Sequence, residues 1–124
     1  MSVLLDSVIL IDHLNGNPAA TAYLRSLKDA HSSVVTRAEV LAGLEADFRK
    51  LGQRLLDRYP TLPIDAETAD VAAELRRLNR WKLPDAFQAA LARQYGLKLA
   101  TRNVRDFPPE KHAFIVVPYQ LRSA

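Results

Sequence analysis

The segment LPDAFQAALARQYGLKLATRNVRDF, residues 83–107, predicts a helix followed at once by a strand, and it thereby indicates the class of fold. Pro84 and Asp85 are typical of a first helical turn, and Gly96 is typical of the residue that follows a helix. The apolar run LKLA after Gly96 then predicts a short buried strand. Polar and charged side chains crowd the end of that strand, in TRNVRDF. Ligand sites of α/β proteins form at such strand ends, so this segment is a candidate site.

Strands and helices alternate along the rest of the chain. Further strands are predicted for four short apolar runs, which are VLL before Asp6, SSVV at 32–35, TLPI at 61–64 and FIVV at 114–117. The helical spacing of apolar residues predicts helices at 7–14, 18–30, 36–59, 65–78 and 84–95. This alternation predicts an α/β fold with a central parallel sheet of about four to five strands, flanked by helices on both faces.

Composition limits the class of protein. A chain of 124 residues with 48% apolar content is long enough for one compact domain, which we place at residues 1–124. The sequence contains no cysteine, which excludes a disulfide framework and a thiolate metal site and fits a cytoplasmic location. The N-terminal segment lacks the basic start of a signal peptide and the length of a membrane span, so we expect no membrane contact.

Basic residues are concentrated in one part of the chain, although the net charge is only +3. Between residues 76 and 105 the single acid is Asp85, against the basic residues Arg76, Arg77, Arg80, Lys82, Arg93, Lys98, Arg102 and Arg105. A basic face of this kind suits a polyanion such as nucleic acid, and it is equally typical of a solvated helix face. Trp81 lies within this segment and could stack on a base, although we expect it to pack in the core.

Carboxylates follow the predicted strands. Asp6 ends the first strand, Glu39 lies one turn beyond the second, and Asn103 and Asp106 follow the fourth. Oxygen ligands without cysteine or paired histidines select Mg²⁺ or Mn²⁺, which bind phosphate oxygens and lower the pKa of a bound water. The pattern therefore indicates nuclease chemistry.

Each of these acids also has a purely structural interpretation. Thr36 and Glu39 have the spacing of a capping box, and Asp6 could cap the first helix. Asp85 suits the first turn of its helix, and Asp106 could close a turn. The topology also leaves the position of Asp85 open, since we expect it at the opposite edge of the sheet unless the preceding connection brings it round.

Three segments in this order resemble the PIN-domain ribonucleases, and most closely the VapC toxins. These segments are LLDSVILIDHL at 4–14, VVTRAEVLAGL at 34–44, and residues 83–107. The resemblance covers nearly the whole chain. It implies a Mg²⁺- or Mn²⁺-dependent endoribonuclease that acts as the toxin of a type II toxin–antitoxin pair and cuts structured RNA such as tRNA or rRNA. It also implies a homodimer and a VapB-like antitoxin whose C-terminal segment covers the acidic groove.

The resemblance assigns roles to particular residues. The catalytic set that it implies is Asp6, Glu39, Asp85 and Asn103, of which the three acids would hold the metal. Supporting roles fall to Ser7, Thr101 and Asp106. Apart from the resemblance, we expect the basic residues Arg102, Arg105, Lys82 and Arg80 to steer and hold the RNA backbone. The chain departs from the family pattern at Asn103, where many relatives have Asp, and at Val8, where Ser or Asn is frequent.

Two other classes of protein share some of these features. One is a PIN-like domain that has lost efficient catalysis and only binds RNA or a protein. Asn103 would be consistent with that class, because it gives the site one negative charge fewer than the Asp of many relatives. A receiver-like phospho-acceptor domain also gathers aspartates at strand ends. It needs an acidic pair after the first strand and a lysine after a late strand, whereas LLDS contains one acid and Lys98 precedes the end of its strand.

Overall fold

A computed structural model describes residues 1–121 and contains a five-stranded sheet of order β3-β2-β1-β4-β5. Its strands are β1 (Ser2–Leu5), β2 (Asp29–Ser33), β3 (Thr61–Leu62), β4 (Lys98–Ala100) and β5 (Ile115–Val116). All neighbouring strands are parallel. The predicted parallel α/β sheet is therefore confirmed. Its two outer strands, β3 and β5, are shorter than the sequence indicated.

Helices connect the strands. They are α1 (Ser7–Leu14), α2 (Pro18–Ser26), α3 (Val34–Ala42), α4 (Ala46–Leu56), α5 (Ala66–Asn79) and α6 (Leu83–Tyr95). Asp65 caps α5 by accepting a hydrogen bond of 2.9 Å from the backbone N–H of Thr68. Within residues 1–121, none of the helices is both long and apolar enough to cross a bilayer.

The central strand β1 is buried on both faces. Val3, Leu4 and Leu5 are fully inaccessible, and Val3 is in register with Ala30 of β2 and Lys98 of β4. Because side chains alternate along a strand, Leu4 packs against α5 and α6, whereas Val3 and Leu5 pack against α1, α3 and α4. Burial of each of these leucine side chains stabilises the folded state by roughly 1.5–3 kcal/mol relative to exposure to water. The apolar run in β1 thus holds both helical layers on the sheet and fixes the position of its carboxyl end.

The prediction of one long helix at 36–59 is wrong, because this part of the chain folds as two helices that are separated by residues 43–45. Gly43 ends α3, where its N–H bonds to the carbonyl oxygens of Glu39 and Val40 at 3.3 Å. Leu44 then packs against Gly52 of α4, where a Cβ atom would collide with the leucine side chain. The break lets α4 fold back on α3 while both helices keep their apolar faces.

The boundaries of β2 also differ from the prediction. The strand begins at Asp29, inside the region predicted as helical, and ends at Ser33. The first half of SSVV is therefore strand as predicted, whereas its two valines begin α3. Ser33 is the N-cap of α3, since its Oγ accepts a hydrogen bond of 2.9 Å from the N–H of Thr36. The interpretation of Thr36 and Glu39 as a capping box is therefore wrong, and Glu39 lies in the body of α3.

Helix α6 begins at the carboxyl edge of the sheet and ends at Gly96, which has a φ of 65°. A helix that leads into a parallel strand must finish beside the start of that strand, so its own start lies at the opposite edge, where strands end. Asp85 in the first turn of α6 consequently lies at the same edge as Asp6. The position of Asp85, which the sequence pattern left open, is thus at the end of the sheet where the strands finish.

Candidate active site

One pocket at the carboxyl edge of the sheet contains the four catalytic candidates. Asp6, Glu39, Asp85 and Asn103 line a cavity of about 330 Å³. The other lining residues are Ser7, Val8, Arg102, Val104 and Arg105. Side chains from separate sequence segments therefore converge where the predicted site was placed.

Asp6 is the most deeply buried acid of the pocket, with 6% of its surface exposed. Its Oδ1 accepts a hydrogen bond of 2.9 Å from the N–H of Ser7 and so caps α1, while its Oδ2 accepts one of 2.7 Å from Oγ1 of Thr101. Burial raises the pKa of Asp6, although these hydrogen bonds oppose the shift. Asp6 thus serves as a helix cap and also belongs to the pocket.

Gln88 of α6 supports Asp6 from inside the protein and is 1% exposed. Its Oε1 accepts a hydrogen bond of 2.7 Å from Oγ of Ser33, and its Nε2 donates one of 2.7 Å to Oγ1 of Thr36. The same Nε2 lies 3.5 Å from Oδ1 of Asp6, and the Thr36 hydroxyl donates to the carbonyl oxygen of Leu5 at 2.8 Å. This network joins α6 and the start of α3 to the end of β1, and nothing in the sequence pattern pointed to it.

Replacing Gln88 with leucine should lower the free energy of unfolding by about 1–3 kcal/mol, because the buried hydroxyls of Ser33 and Thr36 would be left without their amide partner. Urea denaturation measures the change. Gln53→Leu is the matched control, since Gln53 is a partly exposed amide on α4 and should change stability by less than about 0.5 kcal/mol. Equal effects of the two substitutions would contradict a structural role for the network.

Glu39 and Asp85 complete the acidic lining. Ser7 Oγ donates a hydrogen bond of 3.2 Å to Oε1 of Glu39, whose pKa is raised by burial and then by the charge of Asp6. The pKa of Asp85 is raised to about 6, chiefly by burial and then by the charges of Asp106, Asp6 and Glu39. These carboxylates therefore repel one another, as expected of a site built to receive a cation.

Asn103 is held by a turn that contains Asp106. Its Nδ2 donates a hydrogen bond of 2.9 Å to Oδ2 of Asp106, and its backbone N–H donates one of 3.0 Å to Oγ1 of Thr101. The Thr101 hydroxyl thus connects Asn103 to Asp6. Asp106 closes this turn beside the pocket, and its carboxylate faces the Asn103 amide.

The predicted RNA-binding residues are divided between two places. Arg105 lines the acidic pocket and also a neighbouring cleft, where Arg80 and Lys82 lie beside Trp81. Arg102 lines the pocket, but its Nε and Nη2 donate hydrogen bonds of 2.6 Å and 2.9 Å to Asp12. Trp81 is buried, with 6% of its surface exposed, as the packing interpretation predicted.

Asp12 is a second buried residue that the sequence pattern did not single out. Its side chain is 8% exposed and also accepts a hydrogen bond of 2.7 Å from the hydroxyl of Tyr119. The bonds from Arg102 and Tyr119 lower the pKa of Asp12 against the effect of burial. Asp12 therefore anchors the segment that carries Asn103 to α1.

The oxygen donors of the pocket fit a hard divalent cation. Within residues 1–121, no three carboxylate or histidine side chains converge closely enough to enclose a metal ion by themselves. Mg²⁺ commonly binds through one or two carboxylates and keeps several waters or phosphate oxygens as its remaining ligands. Asp6, Glu39 and Asp85 suit that mode, with part of the ligation through water.

The raised pKa of Asp85 predicts how cation binding depends on pH. In metal-free protein, a carbon-detected NMR titration should show the Asp85 carboxyl titrating near pH 6. Since protons compete with the cation, Mg²⁺ affinity measured by calorimetry should fall below about pH 6, by up to about tenfold per pH unit. A constant affinity between pH 5 and pH 7 would show that Asp85 does not contact the cation.

Comparison with known proteins gives consistent results. A family model of the PIN domain matches residues 3–108. Ribonuclease VapC10 of Mycobacterium tuberculosis is 38% identical over 114 residues, which cover 86% of each chain. A toxin–antitoxin complex from Klebsiella pneumoniae contains a chain with a TM-score of 0.87 and 31% identity, covering 97% of this chain and all of that one. FitAcB from Neisseria gonorrhoeae contains one with a TM-score of 0.77 and 26% identity, over 96% and 99% of the two chains.

Proposed function

This chain belongs to the PIN-domain family, with a VapC ribonuclease among its relatives, and from that premise we propose that it is a Mg²⁺- or Mn²⁺-dependent endoribonuclease. It acts as the toxin of a toxin–antitoxin pair. The observation that carries the proposal is the convergence of Asp6, Glu39, Asp85 and Asn103 on one pocket. A PIN-like module that only binds RNA would not require these four polar side chains to converge on one pocket.

The residues of the pocket have distinct parts in this reaction. Asp6, Glu39 and Asp85 would hold the cation, directly or through water. Once bound, the cation would supply an activated water and stabilise the charge that develops on the phosphodiester. Thr101 and Ser7 fix the orientation of Asp6 and Glu39 by hydrogen bonds. Asn103 donates to Asp106 through Nδ2, and its Oδ1 accepts a hydrogen bond of 3.4 Å from the backbone N–H of Asp106. The second lone pair of Oδ1 would orient a ligand or a water.

RNA is the substrate that this charge distribution favours. Arg105 lines the acidic pocket, and a guanidinium there can hold the phosphate backbone while the cut is made. Such contacts position a strand without reading its bases, so the selection of a structured RNA, such as a tRNA or an rRNA loop, must come from the shape of the whole substrate.

A VapB-like antitoxin is the proposed protein partner. Structural relatives of this chain occur in toxin–antitoxin complexes, including the one from Klebsiella pneumoniae. Burial and neighbouring acidic charges raise the pKa values of Glu39 and Asp85. An arginine of the antitoxin would be attracted to these carboxylates and would neutralise their negative charge. We also propose a homodimer, which light scattering coupled to size exclusion can test directly.

The deciding experiment is incubation of purified protein with RNA in Mg²⁺, in Mn²⁺ and in a chelator. We expect cleavage with either cation and none with the chelator. Cleavage that continues undiminished in the chelator would overturn the metal-dependent mechanism. Cation-dependent RNA binding without any cleavage would instead favour the alternative function, a PIN-like module that only binds RNA.

A further inference from the structure

A second cleft adjoins the acidic pocket and has the opposite charge. It has a volume of about 440 Å³, and its lining includes Arg80, Trp81, Lys82, Arg105, Lys111 and His112. We propose that this basic cleft binds a backbone phosphate of the same RNA strand, on one side of the phosphodiester that is cut. This proposal deepens the ribonuclease assignment and rests on it for the identity of the strand.

The cleft contains cations without partners. Asp106 is its single acidic lining residue, and the Asp106 carboxylate already accepts a hydrogen bond from Asn103. In the part of the chain that the structure describes, the side chains of Arg80, Lys82, Arg105 and Lys111 make no ion pair and no hydrogen bond. Four cations around one cavity repel one another, and a polyanion relieves that repulsion while its own counterions are released.

The cleft and the acidic pocket form a continuous surface. Arg105 lines both cavities, and Asp106 lines the cleft. The indole Nε1 of Trp81 donates a hydrogen bond of 2.6 Å to the carbonyl oxygen of Asp106. This bond ties the floor of the cleft to the turn that positions Asn103. A strand whose scissile phosphate lies over the carboxylates therefore passes Arg105 and enters the cleft.

Trp81 forms a rigid floor and not an exposed stacking surface. Its ring lies 5.2 Å from that of Phe107 and 5.0 Å from that of His112, measured between ring centroids. With 6% of its surface exposed, the indole offers a base little area for stacking. Most charged groups of the cleft are cationic side chains, and the contacts that such side chains make to phosphates carry no sequence information. We infer that the cleft contributes affinity and register without sequence preference.

Arg80 occupies a backbone position that would suit glycine. It ends α5 with a φ of 59°, in the left-handed region, and its N–H bonds to the carbonyl oxygen of Arg76 at 2.7 Å. Helix α6 ends in the same conformation with Gly96. A residue with a Cβ atom is strained there, and strained residues concentrate at functional sites. Arg80 therefore keeps a cation in the cleft at the expense of local stability.

The test uses the variant Arg80→Gly/Lys111→Gln, with Arg93→Gln as a control. Arg93 is an exposed arginine in the last turn of α6, whereas Asp85 lies in its first turn. Binding is measured with an unstructured oligoribonucleotide in protein that also carries Asp85→Asn, which prevents cleavage. We expect affinity to fall about tenfold for the double variant and to remain unchanged for the control. The slope of log affinity against log salt should become shallower by about 0.7 for each phosphate that is no longer neutralised.

A chemical scan of the RNA locates the bound phosphate. Single phosphates on either side of the cut are replaced by uncharged methylphosphonates, and affinity is measured for the parent protein and the double variant. One flanking position should weaken binding to the parent protein and have little effect on the double variant, which no longer holds that phosphate. If every position weakens both proteins equally, the proposed binding of a phosphate in the cleft is wrong. Arg80→Gly alone should leave the melting temperature unchanged or higher, which excludes misfolding as the cause.

These outcomes separate the two proposals. If wild-type protein cleaves RNA and the double variant binds as well as the Arg93→Gln control, the cleft proposal fails and the ribonuclease assignment stands. If wild-type protein fails to cleave but a methylphosphonate at one position weakens binding only while Arg80 and Lys111 are present, the cleft binds an RNA phosphate and the ribonuclease assignment fails. Trp81 gives an independent signal, because it is the sole tryptophan and forms the floor of the cleft. Its emission should change on RNA binding in the parent protein and not in the double variant.

Discussion

Asp85→Asn should reduce RNA cleavage at least about a hundredfold, since even partners that only support metal ligands cost 10–100-fold when they are removed. The substitution keeps the shape of the side chain and removes one negative oxygen from the pocket. The measurement is the initial rate of cleavage in saturating Mg²⁺, with the cation affinity of each protein determined separately. A fall in affinity together with a fall in rate at saturation identifies Asp85 as a ligand at the reacting centre.

The same substitution should not destabilise the fold. The raised pKa of Asp85 means that the folded protein disfavours its charged form at neutral pH, so a neutral amide removes an unfavourable interaction. We expect a gain of about 1 kcal/mol in the free energy of unfolding, after allowance for screening at this half-exposed position. Asp70→Asn, an exposed acid on α5, serves as the control for both measurements. Cleavage by Asp85→Asn at the rate of this control would refute the proposed role of Asp85.

Asp12→Ala should produce the largest loss of stability among single substitutions of the acidic residues, about 2–3 kcal/mol. Removal of one partner from a buried ion pair costs about 3–5 kcal/mol, and the value here is lower because Arg102 remains partly exposed. Tyr119 is deprived of its hydrogen-bond acceptor as well. The control is Asp57→Ala, which breaks an exposed pair with Arg37 at 3.0 Å and should cost less than about 1 kcal/mol. Equal changes in urea denaturation would contradict this ranking.

The pH dependence of stability follows from the same group. The pKa of Asp12 is lower in the folded protein than in the unfolded chain, so the folded state gains stability when this carboxyl is ionised. That gain is fully present at neutral pH and disappears as the pH falls below about 4, through the folded pKa. The difference in stability between wild-type protein and Asp12→Ala should therefore shrink in acid. A difference that stays constant down to about pH 2.5 would exclude ionisation of Asp12 as its source.

The sequence predicted the sheet and the location of the site because both depend on local patterns. Continuous apolar runs identify strands buried on two faces, and carboxylates at strand ends are brought together by any parallel sheet. The break between α3 and α4 was not predictable in this way, since Leu44 continues the helical spacing and its packing on Gly52 exists only after folding. The position of Glu39 in α3 was misjudged for a related reason, because Ser33 competes with Thr36 for the role of N-cap.

The structurally important residues that the sequence pattern did not indicate are buried polar side chains. Their hydrogen-bond partners lie far away in the sequence. Gln88 contacts Ser33 and Thr36, which precede it by 55 and 52 residues, and Asp12 contacts Arg102 after 90. No local pattern separates such a glutamine or aspartate from an exposed one on the same helix. The assignment of Asp6, Glu39, Asp85 and Asn103 from a family resemblance succeeded in finding neighbours in space because it drew on the whole fold.

Asp6 lines the acidic pocket and also caps α1, so a substitution there affects the stability of the fold as well as the pocket. Asp6→Ala removes the acid and also the cap of α1, which typically costs about 1 kcal/mol of stability, so this variant is more exposed to proteolysis, whereas asparagine at the same position would keep the cap. Asp85 has no such structural duty, and its amide variant is expected to be inert and stable. Glu39 would still attract an arginine of the proposed antitoxin in the Asp85→Asn variant. A cell that carries this variant would therefore accumulate a long-lived, inert chain that competes with active copies for the antitoxin.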